Sequence, residues 1–168
     1  MPIARTILAE FNHEMANTRK VLERIPEEQA GWKPHPKSYS LGDLAMHIMN
    51  LPTWVGVTLK QEELDFDPPG GKKEAKPAFD TRKALLQRFD SNVAEAVSVI
   101  ADASDEVMRS SWTLKNRGTV VFSLPRVQPE RFIELGVRGN PGEVPPAIAV
   151  LKQGVSALGF PWNDAPRP

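Results

Sequence analysis

The side chains with most chemical reach are three histidines, His13, His35 and His47, and all of them precede residue 48. There is no cysteine. Thiolate nucleophiles, disulfides and cysteine-based zinc sites are therefore excluded, and a transition metal would need His, Asp or Glu as ligands. Asp43 and His47 are four apart, which places both on one face of a helix and makes a carboxylate–imidazole pair geometrically easy. As a metal site this pair supplies one nitrogen and one oxygen, too few to hold a first-row ion tightly. As a catalytic pair it would use His47 as general base with Asp43 orienting the ring. The other reading of His47 is a packed, hydrogen-bonded core histidine. His13, beside Glu14, lies off the apolar stripe of its own segment, on the flank or toward solvent. His35 sits in Pro34-His35-Pro36, a rigid loop that it and Trp32 would pin to the body of the protein. Trp32 and Trp54 either line a small-ligand pocket or simply fill core. No Ser-His-Asp arrangement or paired-carboxylate motif stands out. Pro68-Pro69-Gly70-Gly71 is a turn without the Lys and Ser/Thr of a phosphate loop.

Three helical segments have to position these residues. In the first, over 3–25, Ile3, Ile7, Phe11, Met15, Thr18, Leu22 and Ile25 recur at steps of four and three and form one stripe. Pro26 ends it, having no N–H and crowding the preceding turn. A proline-rich loop follows to Tyr39. Ser40 then predicts an N-cap, with Asp43 as a capping-box acid. The second segment buries Leu41, Leu44, Ile48, Leu51, Val55 and Leu59, and Pro52 should kink it or divide it. Asp67-Pro68-Pro69-Gly70-Gly71 breaks the chain. The third segment, from about Thr81 to Ala103, presents Leu85, Leu86, Phe89, Val93, Ala96, Val97 and Ile100, with Asp80 as the expected N-cap. Trp112-Thr113-Leu114, a turn at Asn116-Arg117-Gly118 and Thr119-Val120-Val121-Phe122 predict a small β-hairpin or extended crossover.

From Pro125 the composition changes, with eight of the sixteen prolines in the last 44 residues. One long helix does not fit there, since an interior proline costs about 3 kcal/mol. Two short helical pieces do, over 130–137 and 146–153. The whole chain of 168 residues is the size of one domain, 1–168, with 128–168 atypical. Lys+Arg and Asp+Glu both total 21, which argues against a nucleic-acid partner. Lys72, Lys73 and Lys76, interrupted by Glu74, read as a solvated loop. No run is long enough to span a bilayer and no secretory leader pattern opens the chain, so no membrane partner and a cytoplasmic address are expected.

The segments themselves carry a resemblance. Phe11-Asn12-His13-Glu14-Met15 with Thr18-Arg19 and Leu22-Glu23-Arg24-Ile25-Pro26 is similar to the opening helix of the DinB/YfiT family. The run from Trp32-Lys33-Pro34-His35-Pro36-Lys37-Ser38 through Ser40-Leu41-Gly42-Asp43-Leu44-Ala45-Met46-His47 closely matches that family's W-K-P-H-P-K-S-x-S-L-G-x-L-A-x-H segment. Phe122-Ser123-Leu124-Pro125-Arg126-Val127 resembles its crossover into a fourth helix. The resemblance covers about three quarters of the chain and ends near Val127. It implies an all-α fold, an up-down-down-up four-helix bundle with a short β-hairpin or crossover before the fourth-helix region, which is here irregular and proline-rich. It further implies a homodimer and a divalent metal, nickel or zinc, held by one histidine at the His47 position and two from an H-x3-H pair in the fourth helix. Relatives of this kind include thiol-dependent transferases and hydrolase-type enzymes. The family name refers to DNA-damage induction, not to polymerase activity.

Gly136 and Asn140 stand where the H-x3-H pair would be, and neither supplies an imidazole. Two origins fit such a tail: divergence of a family member, or a changed reading frame after Val127. Two functions follow. One is a metal-dependent enzyme of the thiol-transferase or hydrolase type with a depleted site. The other is a non-catalytic dimeric bundle that binds a small ligand near His47 and Trp54 or acts in a stress response.

Overall fold

The computed structural model describes residues 2–71 and 77–127. Among these residues, five helices and three short strands follow in the order α1 (Ile3–Leu22), α2 (Leu41–Asn50), α3 (Thr53–Lys60), β1 (Glu63–Asp65), α4 (Arg82–Asp102), α5 (Asp105–Arg109), β2 (Ser111–Asn116) and β3 (Thr119–Pro125), with a 3-10 turn at Glu27–Gln29. The fold is mostly helical with a small sheet. The expected fourth-helix region, 128–168, and the lysines at 72–76 lie outside the described residues.

The apolar stripes read from the sequence are the core. Ile7, Phe11, Met15, Thr18, Leu22 and Ile25 are buried, as are Leu41, Leu44, Ile48, Leu51, Val55 and Leu59. They meet Leu85, Phe89, Ala96 and Ile100 of α4, which packs against α1, α2 and α3. Leu86, Val93 and Val97 lie half-buried at the margin of this core.

Pro52 divides the second helical segment into α2 and α3, because it has no N–H to continue the ladder. The carbonyls freed at the break find other donors. Asn92 Nδ2 of α4 donates to the Met49 carbonyl at 3.0 Å, and Thr53 Oγ1 donates to that of Asn50 at 2.8 Å. Elsewhere helix starts are closed across the fold. Asp105 accepts from the Ile3 N–H at 2.9 Å, and Glu27 accepts from that of Arg82 at 2.8 Å. The N-cap of α4 is Thr81, whose hydroxyl accepts from the Ala84 N–H at 3.1 Å, not the expected Asp80. A cap side chain bonds the N–H two or three residues on, and Asp80, four residues before Ala84, is out of that reach while Thr81 is in it.

The predicted hairpin is present as β2 and β3, joined by Arg117 and Gly118 with φ of 51° and 76°. Two positive φ values at the central positions define the mirror-image turn that matches strand twist. The Asp65 carboxylate accepts from the N–H groups of both residues, which holds the arginine in a left-handed conformation that non-glycine residues avoid. The sequence reading missed β1, which pairs with β2 in parallel and makes the sheet order β1-β2-β3. Its apolar residues are too few to show a period.

Candidate functional site

The family-like segment is, first of all, a device for starting α2. The first N–H groups of a helix have no partner within it. Here the Leu41 N–H donates to the Trp32 carbonyl at 2.9 Å, that of Gly42 to the Ala30 carbonyl at 2.8 Å, and that of Asp43 to Ser40 Oγ at 3.1 Å. The loop therefore turns back over the helix end and supplies all three acceptors. Gly42 is required for that approach: a Cβ there would lie 2.9 Å from Phe79 Cβ and 3.2 Å from the Ala30 carbonyl oxygen. Much of the spacing from Trp32 to Asp43 is thus explained by capping, without any catalytic role.

Two turns into this anchored helix stands His47, half-buried. Its ring is parallel to that of Tyr39, with 6.2 Å between centroids and 3° between planes. Tyr39 is 56% exposed, so the pair opens outward from the bundle. Asp43 is exposed one turn before His47; among the described residues it enters the hydrogen bonding of this region through its backbone N–H. Trp54, on α3, is half-buried.

The remaining histidines are elsewhere. His13 is exposed on α1, where Asn17 Nδ2 donates to its Nε2 at 3.2 Å. His35 is exposed in the loop, and its Nδ1 accepts from the Lys37 N–H at 3.2 Å. Among the described residues, no three side chains of His, Cys, Asp or Glu converge as a metal site would require. The donor set does not fit a three-histidine cage: among the described residues the three histidines do not converge, and residues 48–168 contain no imidazole or thiol at all.

Two residues that sequence reasoning did not single out make contacts at opposite ends of the α2–α3 segment. Tyr39 appeared only as the variable position of a motif, and its stacking depends on how the loop returns. Arg126, 7% exposed, donates through Nε to the Thr58 carbonyl at 2.8 Å, through Nη2 to that of Gln61 at 2.9 Å and through Nη1 to Ser110 Oγ. A guanidinium is suited to the C-terminal end of α3, where carbonyls lack helical partners and the dipole is negative. Between α1 and α4, Arg19 makes a bidentate bond to Asp90, at 2.8 and 3.0 Å, and also meets Glu23. The Asp90 hydrogen bond is the main reason its guanidinium is held above the ordinary arginine pKa.

The DinB superfamily model matches residues 10–123, more than half of the chain. This chain belongs to the DinB superfamily. Among solved structures, a DinB-like protein from Bacillus subtilis, YjoA, superposes on it with a TM-score of 0.64 at 16% sequence identity, covering 96% of each chain. At that identity the likeness concerns the fold. No curated protein sequence matches. Within the DinB fold, no helix among the described residues is long and apolar enough to cross a membrane.

Proposed function

We propose that this DinB-superfamily chain is a non-catalytic bundle that binds a small organic molecule beside Tyr39, His47 and Trp54. The observation that carries the reading is the donor set. One imidazole stands on α2, the other two are exposed and bonded to Asn17 and to the Lys37 N–H, and the rest of the chain adds none. An exposed aromatic ring stacked on a half-buried imidazole offers a planar ligand both an apolar face and a hydrogen-bonding edge. The proposed ligand is therefore a planar, uncharged or weakly acidic molecule.

Metal-dependent transferase or hydrolase chemistry is the second reading, favoured by superfamily membership. It requires an ion with an open coordination position. His47 would be one ligand and Asp43, one turn earlier on α2, could add an oxygen, which leaves the set short of the three protein ligands of ordinary catalytic zinc sites.

Metal analysis separates the two. Protein purified without chelator and dialysed against nickel or zinc should retain far less than one ion per chain, and its melting temperature should not change with EDTA. One tightly held ion per chain, lost on His47→Ala, would overturn the binding-module reading.

A further inference from the structure

Seven of the ten residues of α2 are buried, and the three that are not, Asp43, His47 and Asn50, follow at steps of four and three. Those steps put them on one stripe of the helix, with neighbouring Cβ atoms about 5–6 Å apart. The stripe does not stop at the proline. Leu51 and Pro52 keep right-handed helical angles, the Trp54 N–H donates to the Leu51 carbonyl at 3.1 Å, and half-buried Trp54 stands four residues beyond Asn50. Read in order, this narrow strip presents a carboxylate, an imidazole, a primary amide and an indole. Tyr39 lies against it, its ring parallel to that of His47 and 56% exposed.

Asn50 is the member of the strip best equipped to recognise an edge. Its main-chain carbonyl takes the Thr53 hydroxyl at 2.8 Å, and its side chain is exposed at the end of α2. A primary amide carries N–H donors beside a C=O acceptor, so it pairs through two bonds with an edge that carries an acceptor beside a donor. An amino group next to a ring nitrogen is such an edge, and asparagine reads it in this way on adenine. Asn50 is about 4.5 Å along the axis from His47, so a flat molecule lying against the Tyr39–His47 pair brings its rim to the amide. Asp43 is roughly 10 Å from Asn50 along the axis, too far to share the same edge. The amide therefore carries the discrimination.

We propose that this strip takes an uncharged aromatic heterocycle carrying an amino group beside a ring nitrogen, its plane on the exposed ring of Tyr39 and its amino edge paired to Asn50. The proposal rests on the reading of the Tyr39–His47 pair as a ligand face, and it names the chemical class of that ligand. Stacking on an aromatic side chain is tolerant, because every such heterocycle has a π-face. The choice among flat molecules falls to the two bonds of the amide.

Adenine and purine, which differ only in the amino group, are the probes for a test on the intact chain. Tyr39 is the single tyrosine of the sequence, so nitration by tetranitromethane, read as 3-nitrotyrosine, reports on that residue alone. In calorimetric titration adenine should bind roughly tenfold more tightly than purine, the lower part of what a bidentate amide–base pair supplies. Asn50→Ala should remove this preference and leave purine binding unchanged, and saturating adenine should slow the nitration of Tyr39. Equal binding of the two probes, or a preference that survives Asn50→Ala, overturns the amino-edge assignment and leaves the flat-ligand reading standing. Failure of both probes to bind, or a nitration rate that adenine does not alter, removes the ligand face at Tyr39 and the proposal with it. The comparison of adenine with purine and the nitration need no variant, so they decide the matter even where Asn50→Ala fails to fold.

Discussion

Arg126 shows how much one side chain can organise in a small fold. Its guanidinium joins the end of α3, the α5–β2 junction and the last residue of the sheet, and all the acceptors it uses are neutral. Replacing it with methionine removes a costly buried charge but leaves the Thr58 and Gln61 carbonyls without their donor. Unmet buried groups cost about 1–3 kcal/mol each, so Arg126→Met should lower unfolding free energy by about 2 kcal/mol after the desolvation relief. Arg126→Lys keeps the charge but not the planar fork, and should recover less than half of that loss. Urea denaturation of the three proteins checks this; a change below about 0.5 kcal/mol for the methionine variant would mean the contacts are incidental. None of this was visible in Pro125-Arg126 as sequence, where the pair figures only as part of the family-like crossover. His47 and Asp43 were legible as neighbours on one helical face. The ring that stacks on His47 belongs to Tyr39, a residue outside that helix, and helical spacing says nothing about it.

At the scale of elements, local rules went far. Periodicity identified the buried faces of the three helical segments, and Ser40 was readable as a cap because its hydroxyl sits three residues before the N–H it bonds. Pro52 was readable as a break for an equally local reason. What repairs the break was not readable, since Asn92 lies 43 residues from Met49. That bond gives a test. Asn92→Ala should leave the Met49 carbonyl unmet at the join of α2 and α3 and cost about 1–2 kcal/mol. In amide exchange the loss should concentrate at residues 53–56, which start α3, while α1 keeps its protection. Uniform loss across the helices would show that Asn92 acts only through general packing. The strand β1 is the element the sequence concealed. Three residues with two acids do not alternate visibly, and their pairing with β2 depends on the return of α4 and α5.

For the whole molecule, charge is the property most directly set by composition. With 21 cationic and 21 anionic side chains, and several of them already paired at Arg19, Lys60, Lys115 and Arg117, there is little excess positive field to collect a polyanion. The chain should elute from a heparin or duplex-DNA column in low salt, without the steep salt dependence of phosphate binding. Retention beyond physiological ionic strength would point to a basic surface concentrated in one place.

The sequence by itself determined the helical periods, the Ser40 cap, the Pro52 break, the neutral charge, and the supply of imidazoles, because each is a property of residues close together in the chain or of a simple count. Tertiary structure decided which distant groups satisfy one another. It brought the Ala30 and Trp32 carbonyls over the start of α2, the Asp65 carboxylate under the Arg117-Gly118 turn, and Tyr39 against His47. The physical reason is the same in each case. A buried or constrained polar group must find a partner, and which partner it finds depends on where the chain folds back, a choice made by the packing of the whole core and not by any local spacing.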